Sequence, residues 1–89
     1  MPKALVCINT DFFSAEEVLA ELRACEEVEE AFRVQGIYDI VAKINAESTE
    51  SLLDTVTRHI KRIRSVQTAH VMLIIENEEP TWQEKVLIA

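Results

Sequence analysis

The sequence predicts an α+β fold in which two βαβ units follow each other in the order βαββαβ. Two segments of helical length carry apolar residues at helical spacing, and strand-like apolar runs lie before, between and after them. The chain's single glycine, Gly36, lies between the two central strand-like runs. A weak internal repeat also places Val28 and Ala31, after the first helix, at the same offset of 38 residues from Val66 and Ala69, after the second.

The first βα unit is predicted over residues 4–25. Residues 4–8 are apolar on both faces, which is typical of a central strand covered on both sides. Ser14 and Glu17 have the spacing of a capping box, which predicts that the first helix begins there. The buried stripe of this helix is predicted to comprise Ala15, Val18, Leu19, Leu22 and Cys25.

A tight hairpin is predicted at the centre of the chain, between strands at about 28–35 and 38–46. Gly36 supplies the positive φ that such a turn requires. After it, one face of the strand is apolar, and Asp39 and Lys43 point to the other face. The apolar face comprises Ile40, Ala42 and Ile44.

The second helix is expected to open at Ser48 and Thr49, and the fourth strand to begin at Val66 and run to residue 76. Two right-handed crossovers then give a four-stranded antiparallel sheet with both helices on one face, the ferredoxin-like fold. The buried stripe of the second helix is predicted to comprise Leu52, Leu53, Val56, Ile60 and Ile63.

The sheet face without helices is expected to be a dimer interface. The first and fourth strands are apolar on both faces, whereas a solvated antiparallel face alternates with polar residues. Exposed apolar patches of that size mark association. The chain is also 48% hydrophobic at only 89 residues. We therefore expect two sheets to pack face to face as a dimeric α+β barrel.

Charge argues against direct binding to nucleic acid or anionic membranes. The chain has 16 acidic and 9 basic residues, a formal net charge of −7, and affinity for nucleic acid depends largely on Lys and Arg. The basic segment from Arg58 to Arg64 is interpreted as the end of the second helix, where cations are stabilised, with a phosphate-binding patch as the alternative.

Cofactor and metal sites are not expected. Cys7 and Cys25 are too few and too far apart for a disulfide framework or a zinc site, and both are interpreted as small buried hydrophobic residues. The sequence contains no phosphate-binding glycine loop, no His-Glu-x-x-His and no Cys-x-x-Cys motif. No signal peptide or membrane span is evident, so the protein is expected to be cytoplasmic.

The central stretch also carries a family resemblance. Gly36-x-Tyr38-Asp39 followed by an apolar strand, within this order of elements, resembles the effector-sensing RAM domain of the Lrp/AsnC transcriptional regulators. The resemblance runs from about Lys3 to Glu76, which implies a domain at 1–76 and a C-terminal extension at 77–89. It implies a stand-alone sensor that forms dimers and larger rings, such as a tetramer of dimers. An amino-acid effector and full-length Lrp/AsnC regulators are the implied partners.

The resemblance also implies a ligand site at the contacts between dimers. Asp39 is expected either to bind the ammonium group of a free amino acid or to accept hydrogen bonds from turn N–H groups. Thr68 and the turn N–H groups would hold the carboxylate, and Tyr38 either caps the pocket or belongs to the core. His70 replaces the second hydroxyl of the family's Thr-x-Ser or Thr-x-Thr pattern. The expected ligand-binding set is Gly36, Ile37, Tyr38, Asp39, Thr68 and His70.

Two other functions remain open from the sequence. One is a small oxygenase- or isomerase-like enzyme in which His70 or His59 is the base, although no catalytic set is predicted. The other is a structural assembly subunit connected by the tail. Trp82 and residues 86–88 are too apolar for a solvated tail, and they are expected to dock on the same subunit or on a neighbour.

Overall fold

Four strands and two helices follow each other in the predicted order. A computed structural model of the chain describes residues 2–11 and 13–75. The four strands form one antiparallel sheet in the order β2-β3-β1-β4, which is the predicted ferredoxin-like topology. The elements are β1 (Lys3–Thr10), α1 (Ala15–Arg23), β2 (Val28–Arg33), β3 (Ile40–Asn45), α2 (Thr49–Thr55), a π-helical segment (Val56–Ile60) and β4 (Val66–Leu73).

The core lies between the helices and one face of the sheet. Even-numbered residues of β1 and β3 point into it because side chains alternate along a strand. Burying a large aliphatic side chain of this kind stabilises the fold by about 1.5–3 kcal/mol. The largest fully buried side chains are Val6, Ile8, Val18, Leu22, Ile40, Ile44, Leu52 and Ile60.

The first helix was predicted to begin with a capping box, but the side-chain hydrogen bond that defines such a box is absent. Ser14 occupies the N-cap position with φ −104° and ψ 1°, and its side chain makes no capping hydrogen bond. An N-cap side chain reaches the first turn when its own backbone is extended. Ser48 meets that condition at φ −145° and ψ 161°, and its Oγ accepts a hydrogen bond from the Ser51 N–H at 3.0 Å.

The buried stripe of the second helix also differs from the prediction at Leu53, and Ile63 lies beyond the helix and is only partly buried. Leu53 is 44% exposed, because it lies about 100° around the helix from the buried Leu52. Thr55 is buried in its place. Beyond it the helix widens, since the Lys61 N–H donates to the Val56 carbonyl, five residues back, at 2.8 Å.

The connection between β2 and β3 is longer than the tight hairpin that was predicted. Both strands are shorter than expected, and residues 34–39 connect them. The Val34 N–H donates to the Asp39 carbonyl at 3.0 Å and closes the base of the loop. Gly36 has a φ of +150°, so the predicted need for a glycine backbone is confirmed even though the turn is wider.

Each of the four strands contributes an apolar side chain to the sheet face opposite the helices. Met72 is 50% exposed and Phe32 is 45% exposed, and Val41 and Leu5 are half-buried between them. Met72 pairs with Leu5 on this face, whereas Leu73 pairs with Ala4 on the helix side. We call Leu5, Phe32, Val41 and Met72 the open-face patch.

The expectations for the tail, including Trp82 and residues 86–88, lie outside the described residues. Cys7 is buried as expected, but Cys25 is only partly buried. Among the described helices, none combines the length and the apolar character that crossing a membrane requires.

Candidate functional site

The loop between β2 and β3 is held against β4 by a contact between two predicted site residues. The Tyr38 hydroxyl lies 3.1 Å from Nδ1 of His70, in hydrogen-bonding distance. Their rings meet edge to face, with centroids 5.8 Å apart and planes at 87°. Because β1 lies between β3 and β4 in the sheet, Tyr38 must reach across β1 to make this contact. The loop is therefore fixed over one end of the open sheet face.

Thr68 lies on the same face and at the same end as His70. Thr68 pairs with Asn9 and His70 pairs with Cys7, and residues two apart on a strand share a face. The structure therefore brings Tyr38 and His70 into contact and places Thr68 two residues from His70 on the same strand face, and their predicted role in binding a ligand stays a prediction. We call these three residues the Tyr38 cluster. It presents a phenol, a hydroxyl and an imidazole, all of which can donate or accept a hydrogen bond.

Asp39 has a structural role that the sequence indicated only in part. Its Oδ2 accepts a hydrogen bond from the Thr10 N–H at 2.8 Å. The last pair between β1 and β3 is Ile8 with Ile40, so the Thr10 N–H lies beyond the end of this ladder and needs another acceptor. The Asp39 N–H also donates to the Ile8 carbonyl at 2.9 Å. The Asp39 side chain and backbone N–H thus join the start of β3 to the end of β1, and its carboxylate bonds to β1 rather than to its own turn.

Gly36 and Ile37 lie at the exposed tip of the loop, and Ile37 is 83% exposed. The loop conformation explains Gly36 through its backbone, since a Cβ there would meet no heavy atom within 4 Å. Ile37 is a single exposed apolar side chain, and one such residue does not by itself mark a binding surface. Their predicted contact with a ligand stays a prediction.

A groove of about 350 Å³ runs beside the Tyr38 cluster, along the start of β4. Four of its residues were not predicted as site residues, namely Lys61, Val66, Gln67 and Ala69. Lys61 was visible in the sequence only as part of the basic segment, which was assigned to the helix end. Gln67 donates through Nε2 to Asp11 Oδ1 at 2.8 Å. The groove is lined by Lys61, Val66, Gln67, Thr68, Ala69 and His70.

A second polar cluster lies on the other side of the molecule, where α1 ends. The Cys25 thiol donates to Glu27 Oε1 at 3.2 Å. Burial raises the pKa of the Cys25 thiol, and the hydrogen bond to the Glu27 carboxylate raises that pKa further. The same bond lowers the pKa of Glu27, and His59 lowers it as well. A thiol that acts as a nucleophile needs a lowered pKa, because the thiolate is the reactive form.

The described residues, 2–11 and 13–75, contain no group of three His, Cys, Asp or Glu side chains arranged to hold a metal ion. The fold and the Tyr38 cluster place the chain among the ferredoxin-like α+β domains. Within that class, it belongs to the Lrp/AsnC ligand binding domain family, whose model matches residues 3–82. This membership supports a regulatory, effector-sensing domain.

Solved structures show the same fold over most of the chain. FFRP-DM1 is 29% identical, with a TM-score of 0.82 over 84% of this chain and 100% of that one. PHS023 from Pyrococcus horikoshii is 29% identical, with a TM-score of 0.79 over 89% of this chain and 96% of that one. The regulator NMB0573 from Neisseria meningitidis, solved as a complex with L-Met, is 18% identical, with a TM-score of 0.74 over 83% of this chain and 49% of that one. No curated protein matches the chain at comparable stringency.

Proposed function

We propose that this chain is a ligand-sensing regulatory domain that oligomerises and binds an amino acid or a related small effector between subunits. In this role it modulates regulators of the Lrp/AsnC type by assembling with them. The observation that carries the proposal is the Tyr38–His70 contact. It holds the loop of the family motif beside Thr68, so that groups from two separate parts of the chain meet at one site.

An amino-acid effector suits the chemistry of this site. The hydroxyl groups of Thr68 and Tyr38 can donate to a carboxylate. Asp39 uses Oδ2 for the Thr10 N–H, and its other carboxylate oxygen is the acceptor proposed for the ammonium group. A related regulator, NMB0573, was solved with L-Met, which supports this class of ligand. His70, in the place of a hydroxyl, is the residue that we expect to distinguish this site from its relatives.

Assembly is supported by the open-face patch. Phe32 and Met72 leave about half of their surface exposed on a sheet face that no helix covers. A second copy of the same face supplies an apolar cover of matching shape and a closed twofold arrangement. The Tyr38 cluster lies at the end of this face, so a neighbouring subunit would come close to a bound effector.

The enzyme alternative has weaker support. The pKa of Glu27 is lowered chiefly by the hydrogen bond from the Cys25 thiol, and the charge of His59 adds only a smaller effect. The adjacent Cys25 thiol has a raised pKa, which opposes its use as a nucleophile. His70 bonds to Tyr38 rather than to a carboxylate. These contacts favour binding over catalysis at both clusters.

The experiment that tests the proposal is a thermal-shift screen with the twenty amino acids, followed by calorimetric titration of the best ligand. Asp39→Asn keeps an oxygen for the Thr10 N–H but removes the negative charge. A hydrogen bond to a charged group contributes about 1.5–3 kcal/mol, so this variant should bind at least about tenfold more weakly.

Thr68→Val should also weaken binding, because it removes a hydroxyl of the site without changing the shape of the side chain. Thr57→Val is the matched control, since that hydroxyl bonds to the Leu53 carbonyl on the second helix at 2.9 Å. Equal affinities for wild type, Asp39→Asn and Thr68→Val would place the effector elsewhere. If none of the twenty amino acids bound, the amino-acid proposal would be wrong.

A further inference from the structure

Charged side chains are few on the strands, with one on β1, three on β2, one on β3 and none on β4. Ion pairs account for three of these five. Lys3 Nζ lies 3.6 Å from Glu29 Oε1, and Arg33 Nη1 lies 2.8 Å from a glutamate oxygen of α1. Within the part of the chain that the structure describes, the other two have no ion-pair partner. These two residues are Glu30 of β2 and Lys43 of β3.

Glu30 and Lys43 lie opposite each other on the open sheet face. The register of β2 and β3 pairs them, and it pairs Phe32 with Val41 two residues further along, on the same face. On its other side, Lys43 pairs with Leu5 of β1. Cross-strand pairs of this kind have Cβ atoms about 4.5–5.5 Å apart. The two opposite charges therefore lie directly beside the open-face patch.

An irregularity in β2 gives a physical reason why these neighbours form no ion pair within the subunit. The register of β2 against β3 shifts between Val28 and Glu30. A bulge at such a point bends the strand and re-aims its side chains. Glu30 is exposed, whereas Lys43 is half-buried. A lysine in that position buries its aliphatic stem on the sheet and depends on water to solvate its ammonium group.

A second sheet packed on the open face would take that water away from Lys43. An ammonium group then needs a carboxylate, because an unpaired buried charge is strongly destabilising. The strands offer one candidate, since β1, β3 and β4 contain no carboxylate and Glu29 is bound to Lys3. That candidate is Glu30. In a twofold dimer, any contact between two different residues occurs twice.

We propose that Lys43 forms an ion pair with Glu30 of the partner subunit across the open face, and that Glu30 in turn binds the partner's Lys43. The two equivalent pairs fix the orientation of one sheet on the other, because a mismatched orientation would bring like charges together or leave charges unpaired. A second copy is favoured over a different protein, since this face carries both signs of charge in a self-complementary arrangement. The inference rests on the assembly part of the proposed function. It does not involve the Tyr38 cluster.

Charge reversal in two separate variants tests the pairing between subunits. Homodimers of Lys43→Glu and of Glu30→Lys would each bring like charges together at both contacts. Their dissociation constants should exceed that of wild type by at least about tenfold, because like charges across an interface are strongly unfavourable. When the two variants are mixed, the heterodimer restores both contacts. Native mass spectrometry, with one variant labelled with heavy nitrogen, should therefore show more heterodimer than random pairing gives.

This preference distinguishes pairing between subunits from pairing within one, since each variant keeps like charges in its own chain. The matched control reverses the pair that exists within the subunit. Lys3→Glu and Glu29→Lys, mixed in the same way, should pair at random, because their wild-type residues bind each other in one chain.

A second measurement uses wild type and does not depend on the folding of a variant. Dimers are assembled from heavy and light chains and treated with a zero-length carbodiimide cross-linker. Lys43 should become joined to Glu30 in peptides that have one heavy and one light half. If a charge-reversal variant fails to fold, this cross-link decides the question.

Two results would overturn the pairing itself. One is random pairing of Lys43→Glu with Glu30→Lys, and the other is the absence of a mixed-label cross-link between Lys43 and Glu30. If wild type is a dimer in either case, only this inference fails. A wild type that stays monomeric would overturn both the inference and the assembly part of the proposed function.

Discussion

The Met72→Lys substitution tests whether the open-face patch is a subunit interface. Met72 projects from β4 on the sheet face without helices, and half of its surface is exposed in the single chain. In a face-to-face dimer, that half would be buried in each of the two subunits. A lysine there would place an ammonium group in the apolar interface, where an unpaired charge is strongly destabilising.

The expected size of the effect follows from this exposure. Full burial of a Met side chain contributes about 1.5–3 kcal/mol. Half of that in each of two subunits gives about 1.5–3 kcal/mol per dimer. Desolvation of two ammonium groups adds several kcal/mol more. The dimer dissociation constant should therefore rise by at least about a hundredfold, since each 1.4 kcal/mol is a factor of ten.

Sedimentation velocity over a range of concentrations measures this constant. The single chain has a mass of 10.1 kDa, so wild type should sediment at twice that mass or more, and Met72→Lys should shift toward 10.1 kDa. Leu53→Lys is the matched control, because Leu53 is 44% exposed on the outer side of the second helix. Wild type that remains monomeric at micromolar concentration would refute the interface. So would equal dissociation of the two variants.

Three further predictions concern the site and the surface charge. Asp39→Ala should lower the free energy of unfolding by about 1–3 kcal/mol, because it leaves the Thr10 N–H unpaired; urea denaturation measures this, and a neutral result would remove the role of Asp39 at the end of β1. The lowered pKa of Glu27 stabilises the fold above about pH 4.5, and this contribution is lost as the pH falls through the folded-state pKa. Glu27→Gln should therefore make the free energy of unfolding less dependent on pH in acid. It should also speed the alkylation of Cys25 by iodoacetamide at about pH 8, because it weakens a hydrogen bond that raises the pKa of the thiol. Identical alkylation rates for wild type and variant would contradict this. The chain alone should give no sequence-specific shift of duplex DNA at about physiological salt, because its net charge is −7, and a salt-resistant specific shift would count against this.

The fold was predictable because independent signals in the sequence agree. Apolar spacing distinguished helices from strands, and Gly36 marked the central connection through its backbone freedom. The apolar character of β1 on both faces indicated an uncovered sheet face before any packing was known. The face of β4 that stays open was not predictable, since both Met72 and Leu73 are apolar. The strand register places Met72 on the open face and Leu73 on the helix side.

Other details depend on geometry that a linear pattern does not contain. Leu53 fits a helical stripe as well as Leu52 does, but small rotations of the helix decide which of the two is buried. Ser14 has the spacing of a cap but not the backbone conformation. The partner of Asp39 is the N–H of Thr10, which is far away in sequence and lies beyond the last pair between β1 and β3. Lys61 enters the groove only because the second helix ends beside β4.

Light scattering of the full chain, titrated with the amino acid that raises its melting temperature most, tests effector sensing most directly. At a hundred times its dissociation constant, a ligand adds about 2.7 kcal/mol of stability. For a domain of this size, that should raise the melting temperature by about 10 °C or more. Because the proposed site lies between subunits, the mass should also shift toward a larger assembly over the same ligand range. A ligand that binds while the mass stays constant, or twenty amino acids that leave the melting temperature unchanged, would contradict the account.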